Sequence, residues 1–171
     1  MSRNKLTKKK LQEGFTIIEV MIVLAIAGLI LVVVLVAIPQ LQRNQRNNAR
    51  QSISARITTE VSNFAGNNNG NIPNAATGNT AGNFGNSTGQ SNTFTGKYLG
   101  GVDINDPSTG DPVGLEVSTS GNPAQGVVRY NEGRQCLDGG DGANTTTGAS
   151  GRSFTIQIGL EGGLTYCLDN Q

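Results

Sequence analysis

The feature that most limits how this chain can fold is an almost uninterrupted apolar segment, residues 15–38. Its 24 residues would form a helix about 36 Å long, at about 1.5 Å per residue. That length crosses the hydrocarbon core of a bilayer, which is about 30 Å thick. The remaining sequence has too few large apolar side chains to surround such a helix, so a buried core helix is the weaker interpretation. The sequence therefore predicts a transmembrane helix.

The charges that flank this segment predict its orientation. Five basic residues precede it and only Glu13 opposes them: Arg3, Lys5, Lys8, Lys9 and Lys10. Such clusters stay on the cytoplasmic side, which places the N-terminus inside and the C-terminus outside. An alternative is a secretory signal peptide, since Ala25-Ile26-Ala27 fits the small-x-small cleavage pattern. Cleavage there would leave a mature chain that begins with more apolar residues, which disfavours this alternative.

The polar segment that follows, residues 39–65, continues the helix. Four apolar residues at spacings of four, four and three form one stripe: Ile53, Ile57, Val61 and Phe64. Arg43, Arg46 and Arg50 are predicted to lie on another face, and Arg56 follows them. Gly66 is the expected stop. We therefore predict one helix over about residues 16–65, with a kink at Pro39, which removes one backbone donor.

Residues 66–171 are rich in Gly, Asn and Thr and contain short β-like runs. Strands are expected at 113–118, 126–131, 154–160 and 163–168, and the last two form a hairpin around Glu161-Gly162-Gly163. Alternation between Phe154 and Leu160 indicates a half-buried strand. The helix stripe is the available cover for one face of this sheet. The predicted fold class is α+β, a long helix whose outer half packs on a small antiparallel sheet.

Several enzyme classes are excluded by composition. The chain has no histidine, which removes the usual triads and imidazole metal sites. Two cysteines cannot complete a structural zinc site. Gly96-Lys97 is followed by Tyr98, so a phosphate-binding loop is absent, and no dinucleotide-binding glycine pattern follows a strand. We expect no cofactor and no enzymatic activity.

Two further groups of residues are candidates for bonding or ligation. Cys136 and Cys167 lie outside the membrane in this topology, where a disulfide would persist; the alternative is two buried thiols. Four oxygen-bearing residues surround a Pro-Ser-Thr-Gly turn and could hold Ca²⁺, although such residues also build ordinary turns: Asp103, Asn105, Asp106 and Asp111. The turn interpretation is favoured.

The most specific pattern is the leader junction, residues 13–20, which reads Glu-Gly-Phe-Thr-Ile-Ile-Glu-Val. A basic leader ends in Gly14, the aromatic Phe15 follows, and the apolar segment carries a carboxylate at Glu19. Here the chain resembles a type IV prepilin over residues 1 to about 65. It departs from the family at Glu13, where a lysine is common, and at Pro39, which stands later than the usual helix-breaking proline.

The resemblance implies a domain order and a set of partners. Residues 1–14 would be a leader removed by prepilin peptidase after Gly14, and Phe15 would then be N-methylated. Residues 15–38 would be the membrane and filament-core helix, 39–65 its amphipathic half, and 66–171 a globular β domain. An assembly platform and an ATPase would act in trans to build a helical homo-oligomer. The expected location is the cytoplasmic membrane before assembly and an extracellular pilus afterwards.

Glu19 has two open interpretations. A carboxylate inside a membrane segment is costly and indicates a functional role; in a filament it could neutralise the new Phe15 amine of a neighbouring subunit. Alternatively, Thr16-x-x-Glu19 fits the capping box of a helix start.

The function expected is that of a filament subunit, serving adhesion, twitching motility or DNA uptake. The alternatives are a pseudopilin of a secretion or competence machine, and a signal-anchored surface binding protein that never polymerises. After leader removal the chain has eight basic and eleven acidic side chains. This balance argues against a general nucleic-acid binder, which should be basic.

Overall fold

The computed structural model describes residues 14–117, 121–137 and 151–170, and the backbone alone of 145–147. The basic leader and most of the loop 138–152 lie outside these residues. The chain divides into two compact units, Met1–Leu41 and Gln42–Gln171, each described below by itself.

One long helix, α1, runs over Ile17–Asn67, within two residues of the predicted bounds. Gly66 is not the stop. The left-handed conformation falls instead on Asn69 (φ 56°) and Gly70 (φ 80°), and the Gly70 N–H donates to the Ala65 carbonyl at 2.8 Å. Asparagine is one of the few non-glycine residues that adopt this conformation, so the helix end can be capped at Asn69 and Gly70 instead of at Gly66. Pro39 lies inside α1, and a kink there stays a prediction.

In the second unit α1 buries the predicted stripe of Ile53, Ile57, Val61 and Phe64. The stripe belongs to one apolar core with residues of the sheet and of the loops before it, including Phe84, Phe94, Leu115, Val128, Tyr130, Phe154, Ile156 and Ile158. Aromatic rings are stacked within this core, with Phe84 and Tyr130 at a centroid distance of 4.3 Å. The expectation that the helix covers the sheet is confirmed.

The exposed face of the same helix carries hydroxyl groups. Ser52, Thr59 and Ser62 each donate to a carbonyl three or four residues earlier in α1, at 2.7–3.0 Å. These side chains therefore face outward while their hydrogen bonds stay within the helix.

A short π-helix, Thr95–Leu99, follows α1. Six strands complete the described structure: β1 (Gly114–Val117), β2 (Val127–Glu132), β3 (Arg134–Cys136), β4 (Thr145–Thr147), β5 (Phe154–Gly159) and β6 (Thr165–Asp169). Four of them form a sheet in the order β1-β2-β5-β6, and β3 pairs with β4. The predicted β5–β6 hairpin is present. The sheet is mixed rather than wholly antiparallel, because β1 runs parallel to β2. The connection between them is longer than the two to five residues of a hairpin turn. The chain can therefore return to the end of the sheet where β1 begins before it enters β2.

Strand β5 is buried on both faces, which corrects the half-buried prediction. Its apolar side chains face the core. On the other face, the Asn131 amide of β2 donates to Thr155 Oγ1 and Gln157 Oε1, both at 3.1 Å. Strand β3 contacts β5 and β6. The polar side chains of β5 therefore lie in the interior, where they are hydrogen-bonded, and not at a solvent-facing surface.

Candidate processing and assembly site

The apolar segment is fully open in the first unit. Every described residue from Gly14 to Leu41 is exposed, as the sequence predicted. By length and composition α1 could cross a membrane, and none of its most apolar window is buried. Soluble monomers rarely expose apolar patches beyond a few hundred Å². The exposed helix is therefore consistent with membrane anchoring.

The peptide bond between Gly14 and Phe15 is sterically open towards the described part of the chain. Among those residues, a Cβ atom added at Gly14 would meet nothing within 4 Å, and Phe15 is 90% exposed. This geometry leaves room for a peptidase around the predicted cleavage site. Cleavage there and methylation of Phe15 stay predictions.

Glu19 closes the start of α1 through a reciprocal contact with Thr16. Its carboxylate accepts from the Thr16 backbone N–H at 2.8 Å and from Thr16 Oγ1 at 2.7 Å. The Glu19 N–H donates to Thr16 Oγ1 at 3.3 Å. This is the capping box, one of the two interpretations of the sequence. In the uncleaved chain, the carboxylate therefore has a local partner.

The disulfide between Cys136 and Cys167 is present, as predicted. It joins β3 to β6, with the two Cα atoms 6.0 Å apart. The Cys136 N–H also donates to the Asp169 carboxylate at 2.9 Å. The bond thus attaches the β3 strand to the edge of the four-stranded sheet.

The calcium candidates do not form a common site among the described residues. Asp106 is buried and its carboxylate accepts two bonds from Arg50. Its backbone N–H donates to the Asp111 carbonyl at 2.7 Å, and Asp103 offers its carbonyl to Arg56 at 2.8 Å. Asn105 forms a backbone bridge to Pro112. Across the described ranges no group of three or more acidic, histidine or cysteine side chains is arranged for a metal. The turn interpretation fits this geometry better.

The sequence analysis missed a cluster of charged residues in the second unit. We call it the Arg50 cluster: Arg46, Asn47, Arg50, Asp106, Ser108 and Glu161. Arg50 is fully buried and lies on the apolar stripe, not on another face as predicted. The spacing from Arg50 to Ile53 and Ile57 carried this signal, but we placed Arg50 on another face of the helix.

Electrostatics within the Arg50 cluster favour the ionised forms of both carboxylates. The hydrogen bond from Arg46 is the main cause that lowers the pKa of Glu161 to about 2, with Arg50 adding to it. The hydrogen bond from Arg50 lowers the pKa of Asp106. The cluster therefore holds two cations and two carboxylates in mutual contact at neutral pH.

Comparison with known proteins finds a known processing motif at the leader junction. Residues 9–35 match the family model of the prokaryotic N-terminal methylation motif. No curated protein and no solved structure matches the chain. The matched residues include Gly14, Phe15 and Glu19, and this motif is the class III signal peptide of type IV pilins. The long helix and small mixed sheet match the type IV pilin fold. The matched motif therefore supports a type IV pilin-like or pseudopilin precursor.

Proposed function

We propose that this chain is a structural subunit of a type IV pilus and not an enzyme. The observation that carries the proposal is the exposed apolar helix with a methylation motif at its start. A helix of this kind needs lipid or other subunits around it. The motif belongs to proteins that leave the membrane and enter a filament, which supply these two surroundings in turn. A separate ATPase and an assembly platform would drive that transfer.

Processing would follow the order that the signal implies. The chain inserts in the cytoplasmic membrane with the basic leader inside, because clusters of Lys and Arg resist translocation. Prepilin peptidase then cuts after Gly14, and the new amine on Phe15 is methylated. The exposed Gly14–Phe15 bond supports this step.

Assembly would change the partner of Glu19. In the uncleaved chain its carboxylate caps α1 through Thr16. Cleavage creates a positive amine four residues before it. In a filament the carboxylate of one subunit would neutralise the amine of the next, because an unpaired charge among packed apolar helices is strongly unfavourable. This charge pair would set the axial position of each subunit.

The two roles of Glu19 can be separated by matched variants. Glu19→Gln keeps the capping box, which accepts either side chain, but removes the charge. Thr16→Ala removes the cap and keeps the charge. We expect Glu19→Gln to be inserted and cleaved but to yield few or no sheared fibres, and Thr16→Ala to yield fibres near the wild-type amount. The reverse pattern would show that helix capping, not charge, controls assembly.

The remaining candidate functions give different outcomes in the same experiment. Electron microscopy of sheared surface material, with N-terminal sequencing, should show long fibres that begin at methylated Phe15. A pseudopilin would be cleaved but would give no surface fibres at native expression. A non-polymerising surface protein would stay in the membrane fraction with or without Glu19.

A further inference from the structure

The guanidinium of Arg50 sits in a site that satisfies each of its N–H groups. Arginine has five such donors, and five contacts meet them. Nε donates to Asp106 Oδ2 at 2.7 Å, and Nη2 donates to Asp106 Oδ1 at 3.0 Å and Ser108 Oγ at 2.5 Å. Nη1 donates to Asn47 Oδ1 and Glu161 Oε1, both at 3.3 Å. The pocket is shaped for a planar fork rather than for a point charge.

Apart from Asn47, which lies in α1, these acceptors come from loops that are far apart in the chain. Asp106 and Ser108 precede β1, while Glu161 lies in the turn between β5 and β6. Gly126, just before β2, packs so closely that an added Cβ would overlap the Asp106 carboxylate. All of these loops lie at the same end of the four-stranded sheet. Arg50 therefore connects one end of the sheet to α1.

The place of this contact along α1 is informative. Within the second unit, residues 42–45 are exposed and Arg46 is the first helical residue that is partly buried. The Arg50 cluster is thus the first point along α1 at which loops of the second unit hold the helix. Beyond this cluster, from Ile53 onward, the helix is held by the buried apolar stripe.

Stability alone does not account for a buried guanidinium at this position. Replacing a buried ion pair with apolar side chains is often neutral or stabilising, whereas buried polar groups can specify one arrangement among several. We propose that Arg50 is a positioning residue for assembly: its fork holds the loops around Asp106 and Glu161 in one arrangement on α1. Every subunit then presents the same surface to its neighbours. This inference rests on the proposed filament function.

Two matched substitutions test the proposal in the full-length chain in detergent micelles. Arg50→Lys keeps the charge but offers three donors and no fork. Arg43→Lys is the control, because Arg43 lies two turns earlier on the same helix and is exposed. We measure hydrogen exchange at the Ser108 and Glu161 amides, which donate to Asp106 Oδ1 and Asn47 Oδ1. Fibre yield in cells is measured in parallel.

The expected result is local. Arg50→Lys should speed exchange at both amides by about tenfold or more, since contacts to a charged group are lost. Amides of β5 should keep their wild-type rates, and fibre yield should fall by about tenfold. Arg43→Lys should stay near wild type in both measurements. Ile57→Val, which lowers stability in the apolar stripe, should leave the fibre yield unchanged.

Three outcomes would overturn the inference. Wild-type exchange at both amides in Arg50→Lys would show that the fork does not hold the loops. Faster exchange with a normal fibre yield would show that loop order does not govern assembly. If β5 amides also exchange faster, Ser108→Ala removes one acceptor with less disruption, and a normal fibre yield with a loosened 106–108 loop would refute the proposal. An absence of wild-type fibres would refute the proposed function instead, while the exchange data would still test the fork.

Discussion

Breaking the Cys136–Cys167 disulfide should destabilise the second unit by an amount that follows from the loop it closes. The two cysteines are separated by 31 residues, and the chain-entropy model gives about 3.7 kcal/mol for a loop of that length at 25 °C. The unit has about 130 residues, so its unfolding entropy is about 0.27 kcal/mol per kelvin. The ratio predicts a fall in Tm of about 14 °C.

Two perturbations separate the covalent bond from the side chains. Reduction of the wild-type chain breaks the bond and keeps both sulfur atoms in place. The double variant Cys136→Ala/Cys167→Ala also removes the packing of Cys167, which is buried. The alanine variant should therefore melt below the reduced wild type. Near-ultraviolet circular dichroism of the tyrosines reports unfolding of the second unit without interference from the apolar helix.

A small fall in Tm would refute the idea that the disulfide stabilises the second unit by restricting the unfolded chain. A fall in Tm of less than about 4 °C on complete reduction, verified by thiol alkylation, would mean that the loop is held closed by other contacts. The contacts of β3 with β5 and β6 would then be sufficient without the bond. A normal Tm for the alanine variant as well would extend that conclusion to the packing of Cys167.

Three other predictions follow from geometry described above. Gly14→Glu should block processing, so the chain should remain heavier by the leader, as read by mass spectrometry, and fibres should be absent. Because the pKa of Glu161 lies at about 2 rather than 4.5, its contribution to stability is complete above pH 4.5 and is lost as the pH falls towards 2. Glu161→Gln should flatten the urea-unfolding profile in that window, and an unchanged slope would count against the ion pairs. Gly126→Ala should lower the free energy of unfolding in urea by more than Gly133→Ala does. Both glycines have positive φ (73° and 67°), which alone costs about 1–2 kcal/mol for alanine, but only the former has Asp106 against it.

Local patterns in the sequence were sufficient to predict the helix, its stripe and the final hairpin. The bounds of α1 follow from the apolar segment and the spacing of Ile53, Ile57 and Val61, which are short-range signals. The β5–β6 turn follows from adjacent glycines. The methylation motif was recognisable for the same reason, since its glycine, aromatic residue and carboxylate are close together.

Features that depend on distant partners were not predictable in this way. Strand β1 could pair with β2 in either direction, because nothing local to Gly114–Val117 specifies it. Thr155 and Gln157 read as solvent-facing, yet their partner Asn131 comes from another strand. Arg50 was placed apart from the apolar stripe because a lone cation is costly to bury, and its carboxylates lie 56 and 111 residues further along the chain. The polar interior was therefore visible only once the fold had brought its members together.

The hydroxyl groups on the outward face of α1 have a consequence for hydration. Ser52, Thr59 and Ser62 direct their protons at carbonyls of their own helix. Water bound to this face supplies no acceptor that these three hydroxyls need. Drying the face would leave none of their protons without a bond, so the usual penalty for stripping water from a polar surface would be reduced here. On this stretch of helix the cost of dehydration therefore falls on the hydroxyl oxygens as acceptors and on side chains such as Arg56, not on the hydroxyl protons.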